Sequence, residues 1–186
     1  MTRVVEVVPN NPAWTDQFQA EAKKLVVVFG PEAAAIHHIG STAIPGIQAK
    51  PIIDILLEVK NIDRIDDFND DMRECGYIPR GEFGIPGRRY FVRAVATIHT
   101  HHVHAFQTGH PEIARHLNFR DYLRAHPVEA QAYSHLKEGL AQNFPTDPEG
   151  YTNAKSEFIQ AIDEKAKAWQ EDIFGNNDQL TPSHIS

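Results

Sequence analysis

Polar residues interrupt two apolar stretches of this chain at spacings that suit chemistry. The first stretch is His38-Ile39-Gly40-Ser41-Thr42-Ala43-Ile44-Pro45-Gly46-Ile47-Gln48-Ala49-Lys50-Pro51-Ile52-Ile53-Asp54-Ile55. Gly40 can let the backbone approach a ligand closely, and the Ser41 hydroxyl can both donate and accept a hydrogen bond. If the residues after Ser41 begin a short helix, their unpaired N–H groups favour an anion, and Lys50 adds a mobile positive charge. Asp54 poses a different problem, because a carboxylate inside an apolar strand is costly unless a cation or a hydrogen-bond partner meets it. Together these residues predict an anion cradle beside a metal or proton-transfer site. A tight turn with a satisfied structural aspartate accounts for the same residues without chemistry.

The second stretch is rich in imidazole. The chain has 11 histidines, and four of them, His99, His101, His102 and His104, fall within six residues. Strand alternation places His102, His104 and Phe106 on one face, with His99 and His101 on the other as surface or supporting groups. His102 and His104 joined by Asp54 make a reasonable facial ligand set for zinc or another transition metal, which imidazole prefers to magnesium. The same pair could instead hydrogen-bond within a site, bind phosphate, or serve as acid and base near neutral pH.

Other candidates surround these. Arg88 and Arg89 follow the turn-rich Gly81–Gly87 loop, and one of them should point into a cleft, where its fork suits carboxylate or phosphate. Glu82 on that loop is a candidate mobile acid or base. His38 either orients the Gly-Ser turn or touches substrate. Arg120 and Arg124, one helical turn apart, either reach the cleft or pair with Asp121. Lys155 faces roughly the same side as Tyr151 and is a candidate ligand contact or a structural ion pair.

The elements that must position these groups follow from periodicity and punctuation. Residues 3–8 read as a short strand. Asn11-Pro12 starts a helix whose Trp14, Phe18, Ala22, Leu25, Val26 and Phe29 recur at helical spacing, and Gly30-Pro31 ends it. Strands are expected at 34–39 and 51–59, then a helix carrying Ile65, Phe68, Met72 and Cys75. Strands follow at 77–80, 88–95 and 97–107, and helices at 110–125, 127–143 and 148–170. This order predicts one α+β domain over 1–174, a mixed sheet to about residue 109 followed by helices, and a polar, mobile tail at 175–186.

The stretch from His38 to Ile55 closely resembles the signature of the GrpB family, whose members are similar to the nucleotidyltransferase superfamily. The resemblance continues through Ile85–Phe91, Thr100–His104 and Phe119–Pro127, and ends near Tyr151–Ile159. It implies a nucleotidyltransferase-like core, with Gly40, Ser41 and Asp54 in the places of that superfamily's Gly-Ser turn and first metal-binding carboxylate. Its second carboxylate should lie two residues after Asp54, about 6.6 Å along one strand face, but Leu56 stands there. Glu58 is roughly 13 Å from Asp54 along the strand, too far to complete the same metal site. The superfamily's third carboxylate comes from a later strand, where this chain has its histidines.

Composition narrows the function classes. A formal net charge of −7 argues against general nucleic-acid binding, which needs a concentrated basic surface. No apolar run approaches the length needed to cross a bilayer, so no membrane partner is expected. Cys75 is the single cysteine, so no internal disulfide can form, and a cytoplasmic location is expected. Three readings remain. One is a small-molecule enzyme, of the kind found in secondary metabolism, that binds an anionic or polar metabolite and uses Asp54 with His102 and His104 for metal-assisted or acid–base chemistry. Another is metal-dependent nucleotidyl transfer from a nucleoside triphosphate, and the third is a ligand-binding module without chemistry.

Overall fold

The computed structural model describes residues 4–177, with side chains as far as Ile173. Helix α1 (Ala13–Phe29) begins where the Asn11 side chain accepts a hydrogen bond from the Ala13 N–H, as the Asn-Pro signal predicts. It buries Trp14, Leu25 and Phe29 together with Glu21, while Val26 is 54% exposed on the outer side. Strands β1 (Ala33–Ile39) and β2 (Ile53–Val59) come next, joined by a loop that contains one 3-10 turn at Ser41–Ala43. The helix expected around Ile65 is a 3-10 stretch, Ile62–Phe68, running into the short α2 (Asn69–Glu74), with Ile65 and Met72 fully buried. Three strands follow, β3 (Tyr77–Pro79), β4 (Arg88–Val95) and β5 (Ile98–Gln107). The helical half holds α3 (Pro111–Ala125), α4 (Pro127–Asn143), α5 (Pro148–Ala154) and α6 (Ser156–Asn177).

The five strands form one mixed sheet in the order β1-β2-β5-β4-β3. The β2–β5 pairing is parallel and the other three pairings are antiparallel. This α+β arrangement is consistent with the nucleotidyltransferase-like architecture that the sequence resemblance implies.

The sheet is two-sided because its central strands alternate. Ile53, Ile55, Leu57 and Val59 of β2, with Val103 and Ala105 of β5, pack against Leu25 and Phe29 of α1 and Met72 of α2. Burying each such side chain stabilises the fold by roughly 1.5–3 kcal/mol relative to leaving it in water. On the other face Leu56 and Phe106 meet Ile39 and Ile113 under α3. A third apolar cluster joins Ile44 and Ile47 of the Gly-Ser loop to Phe119, Leu123, Tyr133 and Ile162 of the helices.

Two expectations need correction. Residues 4–8 form no strand: Val8 makes a single bridge to Ala49, and the Val5 N–H is tied to the Pro145 carbonyl instead of a sheet neighbour. The long last helix is broken at Lys155, which separates α5 from α6. The tail expected at 175–186 lies almost wholly outside the described residues.

Candidate functional site

Parallel pairing of β2 with β5 sets Asp54 directly opposite His102. Two residues on, His104 projects from the same face and is paired across β4 with Tyr90. Asp54 Oδ1 lies 3.0 Å from His102 Nδ1 and 3.9 Å from His104 Nε2. The Asp54 side chain is 28% exposed and the two imidazoles about half that, so the cluster is open on one side.

Charge and geometry fix where protons sit. Burial favours the neutral acid at Asp54, but hydrogen bonding from His102, with His104 close by, outweighs it and holds the carboxyl well below the usual carboxylate range. An ionised carboxylate only accepts, so His102 carries its proton on Nδ1. His102 Nε2 then accepts from His99 Nδ1, 2.9 Å away. Arg88 Nη1 lies 3.3 Å from His104 Nδ1. A guanidinium has no acceptor, so Nδ1 is the acceptor there and the His104 proton is on Nε2, facing Asp54. Burial above all holds His104 below the ordinary imidazole range, against the opposing pull of Asp54.

His99 stands on the face that simple alternation denies it. Arg93 pairs with His101, but Ala94 pairs with His99, so β5 carries one extra residue at this point. That bulge turns His99 towards His102. His101 remains on the opposite face, where Arg93 Nη2 is 2.8 Å from its Nδ1.

Between this face of the sheet and the helices lies a cavity of about 710 Å³. Asp54, His102 and His104 line one side of it, with Gly40 and Ser41 of the loop beside them. The 3-10 turn at Ser41–Ala43 is held by Thr42, whose hydroxyl donates to the Ile52 carbonyl and accepts from His38 Nε2. Gly40 has φ +70°, and a Cβ there would stand 2.6 Å from Asp54 Oδ2. Its lack of a side chain thus serves the approach of the carboxylate itself.

The residues singled out in the sequence divide clearly. Gly40, Ser41, Lys50, Asp54, His99, His102, His104 and Lys155 all line the cavity. The others stand outside its lining. His38 is buried behind the loop and stacked on Phe18, with ring centroids 4.8 Å apart. Arg88 supports His104 and also binds the Glu82 and Phe83 carbonyls, whereas Arg89 turns to Asp66 on the other side of the sheet. Glu82 closes its own turn by accepting from the Gly87 N–H. Arg120 donates to the His38 carbonyl while paired with Asp121, and Arg124 donates to the Ala43 carbonyl. Both clamp the loop to α3.

Sequence reasoning missed His116, Arg115, Lys137 and Tyr90, all of which line the cavity. His116 faces His104, with ring centroids 5.6 Å apart, and burial pushes its basicity down. Arg115 is held by Glu112 and Asp163.

The GrpB protein family is matched over residues 4–165. The chain belongs to the GrpB family. A similar solved structure is the crystal structure of conserved protein GrpB from Enterococcus faecalis, 41% identical, with a TM-score of 0.84 covering 88% of this chain and 99% of that one. Among curated relatives, UPF0157 protein YqkA of Bacillus subtilis is 49% identical over 168 residues, 90% of this chain and 49% of the relative. UPF0157 protein PA4798 of Pseudomonas aeruginosa is 38% identical over 161 residues, 85% of this chain and 66% of the relative. This GrpB-family chain therefore spans about half of YqkA and just under two thirds of PA4798. Among the described residues, no helix is long and apolar enough to cross a membrane.

Proposed function

We propose that this GrpB-family chain is an enzyme that binds a small polar or anionic metabolite in the cavity and acts on it by acid–base chemistry at Asp54, His102 and His104. The observation that carries this reading is the Asp54–His102 contact at 3.0 Å on the open side of the sheet. A carboxylate that orients one nitrogen of an imidazole leaves the other as a base of fixed direction. His104, held in the opposite tautomer by Arg88, presents an N–H and serves as donor to substrate. His99 lies next to the basic nitrogen of His102, where it passes on or receives a proton.

A divalent metal is a second reading, favoured by one fact: one donor atom each from Asp54, His102 and His104 lie within 4.8 Å of one another. The donor chemistry suits zinc or another transition metal better than magnesium. Asp54 and His102 Nδ1 would hold it readily, and the ion would supply Lewis acidity. The contact from Arg88 to His104 Nδ1 opposes ligation by Nε2, because the protonated Nδ1 that ligation requires would face a donor. Nucleotidyl transfer between two metals gains no support from β2, where fully buried Leu56 packs against Phe106 in place of a second carboxylate.

The test needs no prior substrate. Wild-type protein is incubated with a bacterial metabolite extract, and depleted species are followed by mass spectrometry. The expected result is a species consumed by wild type and spared by Asp54→Asn and His104→Ala, with both variants folded by circular dichroism. Equal consumption by all three proteins rejects the proposed centre. Metal analysis of protein purified without a histidine tag separates the two chemistries: a stoichiometric transition metal lost in Asp54→Asn favours the second.

A further inference from the structure

The cavity has a second charged side, opposite in sign to Asp54. Lys50 from the Gly-Ser loop, Lys137 from α4 and Lys155 from the joint between α5 and α6 all line it. Two of them share an aromatic plate: the Tyr151 ring centre is 4.7 Å from Lys50 Nζ and 5.1 Å from Lys155 Nζ. Lys137 is only 2% exposed. Its Nζ donates to the Gln48 carbonyl and stands 4.6 Å from the Tyr133 ring centre. Burial, then the neighbouring charges of Lys155 and Lys50, hold the Lys137 ammonium down to about 7.

Lys137 feels the charges of Lys155 and Lys50, and a multiply charged anion placed among the three relieves that repulsion. Each ammonium is a compact donor with three N–H bonds, and lysine binds phosphate as a point charge, so several of them can meet a tetrahedral oxyanion from different directions. Asp54 repels the same anion from the other side, so the two charged sides together impose one orientation on a ligand.

From this geometry we infer that the ligand is a phosphate-bearing metabolite. Its dianionic phosphate sits among Lys50, Lys137 and Lys155, and its reactive group extends towards Asp54 and His102. The inference builds on the enzyme reading above and adds to it the class of substrate and Lys137 as a binding residue.

Sulfate is a suitable probe, because it is tetrahedral and its double charge does not titrate near neutrality. Isothermal titration of the whole chain with sulfate, inorganic phosphate and malonate, at constant ionic strength, tests the seat. The expected result is saturable binding of sulfate and phosphate, with malonate weaker. Lys155→Gln and Lys137→Met should each weaken sulfate binding at least about tenfold, the loss of one charge-assisted contact. Lys155→Gln alters a partly exposed side chain and keeps the test decisive should Lys137→Met not fold. Asp54→Asn should bind sulfate at least as tightly as wild type, so failure of the acid–base centre leaves this result standing. Absence of saturable sulfate binding below about 20 mM overturns the inference. So does unchanged affinity in Lys155→Gln, or tighter binding of malonate than of sulfate.

Discussion

Asp54 is presented to the cavity by a neighbour that has no side chain. Gly40 combines a left-handed backbone with an approach that leaves no room for a methyl group beside Asp54 Oδ2. Gly40→Ala should therefore lower the unfolding free energy by about 2 kcal/mol, read from urea titration, and displace the carboxylate. A change below about 0.5 kcal/mol would show that the loop yields freely. Tyr151 points the other way. Its hydroxyl is buried with no hydrogen-bond partner among the described residues, so Tyr151→Phe should be neutral or stabilising by up to about 1 kcal/mol. A clear loss in its melting temperature would mean that the hydroxyl has a partner. At this scale the sequence was legible where a polar group broke an apolar run, as at Asp54, His102 and His104. It was silent at Lys137 and His116, which stand on helices rich in solvated polar residues. Only the packing of those helices on the sheet turns these two inward. Arg120 and Arg124 show the converse: their charges suggested a ligand, and backbone carbonyls of the Gly-Ser loop take up their N–H groups.

At the level of elements, most strands and helices were readable from their spacing, and the misses have local causes. The bulge in β5 carries no signature in Ile98-His99-Thr100-His101-His102, because it arises from register against β4. It decides which histidines share a face. The break at Lys155 escaped notice because Ala154-Lys155-Ser156 contains neither glycine nor proline. α5 is short and depends on its own cap, the Asp147 side chain accepting from the Gly150 N–H at 2.9 Å. Asp147→Ala should cost about 1 kcal/mol. Hydrogen exchange should then speed up in residues 148–154 more than in α3 or α4; uniform acceleration would mean that α5 does not open by itself.

For the molecule as a whole, the sheet face packed on α1 holds two neutral imidazoles in different surroundings. His101 sits among Arg93, Glu21 and Lys24, with His102 on the next residue, and burial first and Arg93 second push it down to about 4. His38, near Asp54, Arg124 and Arg120, is likewise pushed to about 4, mainly by burial. Both groups titrate at about 6.5 in an unfolded chain. Between pH 6.5 and pH 4 the unfolded state thus binds protons that the native state refuses. Their contribution to stability is complete above pH 6.5, falls as pH drops through that window, and levels off below it. The urea midpoint should be lower at pH 5 than at pH 7.5, and His101→Gln should reduce the difference. A midpoint that rises on acidification contradicts this account.

Asp54 and His102 lie 48 residues apart in sequence yet meet across the one parallel pairing of the sheet. That joint closes the longest excursion of the sheet, through β3 and β4, and contacts of such large sequence separation are entropically slow to form. The Asp54–His102 contact cannot exist in a partly assembled chain that has made only its hairpins. Any small molecule that bridges the pair is therefore a rivet through the last seam to close, and it should lengthen the native lifetime of the entire sheet.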